Sequence, residues 1–198
     1  MRDPKRLPGA RDVRVSLDDT GSDRVVVASP PHPQMGGDRR DSRLRAVSDS
    51  LTTAGIDCLR FDYGPWDDGV GERSDALTAL EWAGERYERV GLFGYSFGGG
   101  IALCATAAAT ESPPEAVAAL APVAVPGELD AVAALDAITV PVRIVYGRRD
   151  ESAQWRPVVE RARELGATVE SLPADHFFVS QRAQAAESVS EFFRSQLP

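Results

Sequence analysis

The chain has 198 residues, 43% of them hydrophobic and 26% charged, which is enough to bury a continuous core in one domain. Acidic residues outnumber basic residues by 30 to 22, and the net charge of −8 disfavours nucleic acid, whose phosphates it repels. No apolar run approaches the about 18 residues that a membrane span requires, and the polar stretch at residues 1–12 has no secretory-signal pattern, so we expect a cytoplasmic protein that does not bind membranes.

The first half of the chain alternates predicted strands and helices. Residues 12–17 alternate polar and apolar side chains as a half-exposed strand does, and residues 24–29 form a β-branched run typical of a strand covered on both faces. Apolar residues in the segment 41–54 recur three and four positions apart, which predicts a helix that ends at Gly55. Residues 56–63 read as another strand, and a second helix follows the loop at residues 64–71.

The second half continues the alternation. It contains predicted strands at residues 116–123, 139–146 and 167–172, and predicted helices at residues 128–137, 154–165 and 179–193. Strands joined by helices favour right-handed crossovers and a mostly parallel, twisted sheet with helices on both faces. No repeat or linker interrupts the pattern, so we expect a single α/β domain over residues 1–198.

Cys58 lies in a predicted strand and Cys104 in a predicted helix, and neither has the spacing of a metal ligand. Both are expected to be buried thiols. The sequence therefore predicts no metal site and no cofactor.

Between these halves, residues 89–100 predict a nucleophile elbow. An apolar strand leads into Gly94-Tyr95-Ser96-Phe97-Gly98, and an alanine-rich helix is expected from Ile101. This is the G-x-S-x-G pattern, in which a serine occupies a strained turn between a strand and a helix. Glycines flank the serine because the backbone passes too close to its neighbours for a Cβ. Ser96 is therefore a candidate nucleophile; the alternative is a glycine-rich turn with an exposed serine.

A serine hydroxyl needs a base, usually a histidine held by a carboxylate. His176 follows the last predicted strand, and Asp150 follows the strand before it. The chain order Ser96, Asp150, His176 is that of α/β-hydrolases. Two simpler interpretations remain open, namely that Asp150 only caps the next helix and that His176 is a surface histidine. Asp62, at the end of an earlier strand, is an alternative acid.

The loop at residues 32–37 is the candidate for half of an oxyanion hole, which in this fold consists of two backbone amides. One donor should be Phe97, directly after the nucleophile. Pro33 has no amide hydrogen, so the first available donor in the loop is Gln34, with Met35 as the fallback. His32 is interpreted as a structural histidine that braces this loop.

Three segments carry a family resemblance: His-Pro-x-x-Gly-Gly at residues 32–37, Gly-Tyr-Ser-Phe-Gly at 94–98 and Asp-His-Phe-Phe at 175–178. Together they resemble the small serine hydrolases of the α/β-hydrolase superfamily, in the dienelactone-hydrolase-like group of single-domain predicted esterases. Residues 62–82 are similar to the segment that joins the fourth strand to its helix in that group. The resemblance covers about residues 24–193.

The resemblance implies an α/β-hydrolase fold, a triad of Ser96, Asp150 and His176, and an uncapped site for small carboxylic esters. The chain departs from the group where Ser29-Pro30-Pro31 precede His32, since members often carry a further His-Pro pair there, and where Asp-Arg-Arg-Asp at residues 38–41 replaces a stretch rich in Asp and Asn. A dienelactone hydrolase proper has a cysteine nucleophile, so its substrate is disfavoured here.

The leading functional prediction is a carboxylic-ester hydrolase that works through an acyl-enzyme on a small-molecule ester, as a monomer or homodimer. Acyl transfer or perhydrolysis at the same triad is an alternative, as is a non-catalytic binding protein that keeps the fold. Larger relatives insert a lid where residues 124–137 lie, so this short segment predicts a minimal cap or none. Met35, Trp66 and Phe177 are the predicted walls of the substrate pocket.

Overall fold

The computed structural model describes residues 5–9 and 11–198. Residues 1–4 and 10, part of the stretch in which no secretory signal is predicted, lie outside the described residues. The strands are β1 Lys5–Arg6, β2 Arg14–Asp18, β3 Arg24–Ser29, β4 Asp57–Asp62, β5 Arg89–Tyr95, β6 Ala116–Leu120, β7 Val142–Gly147 and β8 Thr168–Leu172. The helices are α1 Ser42–Thr53, α2 Val70–Gly84, α3 Phe97–Ala108, α4 Ala131–Leu135, α5 Arg156–Glu164 and α6 Arg182–Gln196.

The strands form one sheet in the order β1-β2-β4-β3-β5-β6-β7-β8. From β4 through β8 all neighbours are parallel, as the alternation of strands and helices predicts. The pairs β1 with β2 and β2 with β4 are antiparallel. This corrects the expectation that strands and helices alternate along the whole chain and so make neighbouring strands parallel. Only five residues join β2 to β3, and a connection this short lacks the crossover helix that would keep two strands parallel.

The sheet is covered on both faces by helices. Helices α1 and α6 cover one face, and α2, α3, α4 and α5 cover the other. The central strand β3 is buried from its second residue onward, and every residue of β6 is buried. A strand that is buried on both faces has no side that faces solvent, so its residues are apolar without interruption instead of alternating with polar ones.

Helix α3 begins at Phe97, four residues before the predicted start at Ile101. Glycine is a poor helix former, so the run Gly98–Gly100 predicted a loop. Tertiary packing overrides that preference here. A Cβ on Gly98 would overlap the carbonyl oxygens of Ser29 and Pro30. Gly98 therefore lets the first turn of α3 pack directly against the end of β3, while Gly99 and Gly100 lie against the segment that follows β6.

Between β6 and β7 the chain forms only the five-residue helix α4, so the fold carries no lid. The carboxyl ends of the parallel strands therefore open directly to the surface. In the part of the chain that the structure describes, no helix is long and apolar enough to cross a membrane.

Candidate active site

Ser96 lies at the sharp turn between β5 and α3, as the elbow motif predicts. Its backbone has φ 57° and ψ −118°, a conformation that few residues other than glycine adopt. Backbone contacts hold it there, because Ser96 N–H donates to the carbonyl of Leu120 at 2.9 Å and the Ser96 carbonyl accepts from Gly99 N–H at 3.0 Å. A Cβ on Gly94 would overlap the Gly98 carbonyl. The turn requires glycine at both flanks and presents the serine side chain above the sheet.

The structure brings Ser96, His176 and Asp150 together from the ends of three parallel strands. Ser96 Oγ lies 3.0 Å from His176 Nε2, and His176 Nδ1 lies 2.8 Å from Asp150 Oδ2. The Asp150 side chain is completely buried, while that of His176 is 11% exposed. A carboxylate on one ring nitrogen fixes the tautomer that leaves the other free to accept the serine proton.

Asp150 both caps the following turn and binds the histidine. Its Oδ1 accepts the amides of Ser152 and Ala153 at 2.8 and 3.0 Å, while Oδ2 faces His176. Burial raises the pKa of Asp150, but the hydrogen bonds from His176 and the two amides outweigh it, and the pKa lies below its usual value. The carboxylate stays ionised, as the support of an imidazolium requires.

Two other carboxylates near the sequence candidates bind elsewhere. Asp175, next to the histidine, accepts the amides of Phe177 and Phe178 and so shapes the loop. Asp62 accepts the Arg39 amide at 2.7 Å and pairs with the Arg39 guanidinium, so the hypothesis that it replaces Asp150 is wrong.

Residues 30–37 form a tight loop after β3 with a 3-10 turn at Pro33–Met35. Within this turn the Gln34 amide donates to His32 Nδ1 at 3.3 Å, and the Met35 amide donates to the His32 carbonyl at 3.0 Å. Phe97 is the first residue of α3, where an amide has no partner within the helix. The two predicted oxyanion donors therefore differ. Phe97 lines the cavity over Ser96, whereas Gln34 is not among its lining residues and its amide donates to His32 inside the loop by a long hydrogen bond.

An open cavity of about 540 Å³ lies over Ser96 and His176. Met35 and Phe177 line it as predicted, with 84% and 52% of their surface exposed. Trp66 is not among the lining residues, which corrects the prediction that it forms a wall. Its ring stacks on His32 with centroids 4.6 Å apart, one layer behind the cavity.

Asp41, Arg43 and Tyr95 also line the cavity, and none of them was predicted as a site residue. Arg43 pairs with Asp41 at 2.7 Å, and its guanidinium lies 4.7 Å from the Tyr95 ring centre. The Tyr95 hydroxyl donates to the His176 carbonyl at 3.0 Å. The only signal for Tyr95 was its place inside the elbow motif. Among the described residues, no cluster of His, Cys, Asp and Glu side chains could hold a metal ion.

Solved structures of similar architecture cover nearly the whole chain. An α/β serine hydrolase homologue from Coxiella burnetii aligns with a TM-score of 0.81 at 22% identity, over 96% of this chain and 97% of that one. An α/β serine hydrolase without a lid, from Xanthomonas campestris, aligns with a TM-score of 0.80 at 23% identity, over 98% and 94%. The chain has the α/β-hydrolase fold.

A third α/β-hydrolase neighbour is a dienelactone hydrolase from Anabaena variabilis, with a TM-score of 0.81 at 22% identity over 98% of this chain and 97% of that one. The fold predicted from the family resemblance is thereby confirmed. No protein-family model matches the sequence, and a search of the curated proteins found no match.

Proposed function

We propose that this chain is a serine hydrolase that cleaves small carboxylic esters through an acyl-enzyme intermediate. One observation carries the proposal: Ser96 Oγ lies 3.0 Å from His176 Nε2 on a strained elbow that faces an open cavity. A hydroxyl at that distance from an imidazole held by a buried carboxylate can be deprotonated as it attacks.

In the first half-reaction, His176 Nε2 takes the Ser96 proton while Oγ bonds to the ester carbonyl carbon. The carbonyl electron pair moves to oxygen, and the imidazolium is stabilised by Asp150. His176 then protonates the leaving alcohol as the carbonyl reforms. In the second half-reaction, water loses a proton to His176 and attacks the acyl carbon. The bond between that carbon and Ser96 Oγ then breaks, His176 returns the proton to Oγ, and the acid is released.

The proposed oxyanion hole consists of the backbone amides of Phe97 and Gln34. The Phe97 amide at the start of α3 also benefits from the helix dipole. For the Gln34 amide, the developing oxyanion has to outcompete His32 Nδ1, a neutral acceptor at 3.3 Å. Hydrogen bonds to an ionised acceptor are about twice as strong as neutral ones, so the exchange is favourable as charge develops.

The shape of the cavity supports small esters as substrates. Its apolar walls include Met35, Val125 and Phe177, which are largely exposed, and no lid covers them. A long acyl chain would remain mostly in water, whereas a short acyl group or a flat aryl group can lie against these side chains. The lidless hydrolase from Xanthomonas campestris has the same architecture.

The proposal is tested with a fluorophosphonate probe and a panel of short-chain p-nitrophenyl esters. We expect the probe to label Ser96 and Ser96→Ala to lose about a million-fold in turnover, because a triad without its nucleophile keeps only binding and oxyanion stabilisation. Ser112→Ala, in the turn before β6, is the matched control and should keep full activity.

Undiminished hydrolysis or labelling in Ser96→Ala would refute the proposed nucleophile. A wild-type protein that binds esters but neither hydrolyses them nor reacts with the probe would indicate a binding protein. Product analysis with added alcohol, thiol or hydrogen peroxide measures how much acyl group goes to acceptors other than water, which distinguishes hydrolysis from acyl transfer and perhydrolysis.

A further inference from the structure

His32 is the centre of the loop that follows β3. Its side chain caps the 3-10 turn Pro33–Met35 by accepting the Gln34 amide at Nδ1, at 3.3 Å. Its carbonyl accepts the amides of Met35 and Gly37, each at 3.0 Å. A Cβ on Gly37 would overlap backbone atoms of Pro31 and His32, so the turn is packed tightly around this residue. His32 therefore holds three amide hydrogens of the loop.

The His32 ring also connects this loop to the nucleophile elbow through ring contacts. It packs against the rings of both Trp66 and Phe97, with centroids 4.6 and 4.7 Å away, and those two rings lie 5.6 Å from each other, so the three rings form one cluster. Phe97 supplies the other proposed oxyanion donor through its backbone. One imidazole thus contacts the side chain of one donor residue and the amide of the other.

The environment keeps His32 neutral. Burial lowers its pKa, and the negative charge of Glu72 only partly opposes this shift. To accept the Gln34 amide, Nδ1 must lack a proton, so the hydrogen of the neutral ring lies on Nε2. This histidine is therefore in a form that can act as an acceptor.

We propose that His32 is a positioning residue for the oxyanion hole, with Nδ1 fixing the Gln34 peptide and the ring setting its place relative to Phe97. The inference rests on the proposed function and deepens it. In the resting protein, the Gln34 amide donates a long hydrogen bond to His32 Nδ1. In the transition state, the same amide donates a stronger hydrogen bond to the charged oxygen of the substrate. An interaction that strengthens only in the transition state raises kcat rather than affinity.

Two substitutions separate the two parts of this role. His32→Phe keeps an aromatic ring against Trp66 and Phe97 but removes the acceptor. His32→Asn places its side-chain oxygen near the position of Nδ1 and removes most of the ring. We expect His32→Phe to lower kcat on the order of 100-fold with KM nearly unchanged, the size of losing one oxyanion donor. His32→Asn, which restores the acceptor but not the ring, should recover part of that loss.

A thionoester series shows whether the loss occurs at the oxyanion. Sulfur accepts hydrogen bonds more weakly than oxygen, so an intact hole favours the ester over its thiono analogue. The ratio of kcat/KM between ester and thionoester should fall in His32→Phe and recover in His32→Asn. Tyr87→Phe is the control for stability alone, because it removes a hydrogen bond to Asp57 far from the site and should leave the ratio unchanged.

A second readout does not depend on catalysis. Exchange of the Gln34 amide hydrogen with solvent, followed by NMR, should be faster in His32→Phe than in the wild type and close to the wild type in His32→Asn. A kcat in His32→Phe equal to that of the wild type, or an unchanged thiono ratio, overturns the inference. If esters are not hydrolysed at all, the proposed function fails, and unaltered exchange of the Gln34 amide in His32→Phe then overturns the positioning role as well.

Discussion

At the scale of single residues, the two carboxylate oxygens of Asp150 bind different partners. Oδ2 faces His176 Nδ1, and Oδ1 accepts the amides of Ser152 and Ala153. We predict that Asp150→Asn lowers kcat about 10⁴-fold, because a side-chain amide can turn an N–H toward His176 and stabilise the wrong tautomer. Steady-state kinetics with a p-nitrophenyl ester measure the effect. A loss below about tenfold would show that the carboxylate does not orient the base.

The pH dependence of stability tests the same carboxylate. Because the pKa of Asp150 is lower in the folded protein than its usual value of about 3.9, its contribution to stability is full above that value and is lost as the pH falls through the folded pKa. The melting temperature of the wild type should therefore fall further between pH 6 and pH 3 than that of Asp150→Asn. Parallel curves for the two proteins would contradict the lowered pKa.

The residues that sequence could locate are those whose roles depend on a strand end. Ser96, Asp150 and His176 each lie in the loop or turn that follows a predicted strand, and parallel strands bring their carboxyl ends to one edge. The partner of Trp66 could not be predicted, because nothing in the chain pairs it with His32. Arg43 was missed because an arginine in the first turn of a helix looks like a solvated residue.

At the scale of secondary structure elements, periodicity located helix α1 and strand β3 to within a residue or two, and packing decided the exceptions. Glycines 98–100 favour a loop by propensity, yet they are helical because Gly98 packs against the end of β3 and Gly99 and Gly100 pack against the segment that follows β6. The antiparallel direction of β2 depends on its pairing with β4, a contact between distant parts of the sequence.

The elements also bury both thiols, one in β4 and one in α3. Burial raises the pKa of Cys58 and of Cys104 to about 12 each, so neither forms an appreciable thiolate at neutral pH. We predict that a disulfide reagent at pH 8 labels neither cysteine in the folded protein and both after unfolding in guanidinium. Rapid labelling of native protein would show that β4 or α3 opens locally.

At the scale of the whole molecule, the order of the strands places the site. The strand that follows β3 in sequence, β4, lies on one side of it, and the strand that follows β5, β6, lies on the opposite side. The strand order therefore reverses between the neighbouring strands β3 and β5. The crevice at such a switch point is where open α/β sheets bind ligands. Ser96 and the His32 loop border that crevice. The sequence does not contain this order explicitly, since parallel strands can be permuted without changing their local patterns.

The net charge of −8 also acts on the whole molecule. Excess carboxylates repel one another, and salt shortens the Debye length from about 10 Å at 0.1 M to about 3 Å at 1 M. Salt also weakens surface ion pairs such as Arg89 with Glu115, but exposed pairs contribute little to stability. We therefore predict that the melting temperature rises with potassium chloride over this range, measured by circular dichroism. Glu111→Gln removes one exposed negative charge, so its melting temperature at 0.1 M should be higher than that of the wild type and should rise less with salt. If the melting temperature of the wild type falls with salt, attraction between surface charges exceeds their net repulsion.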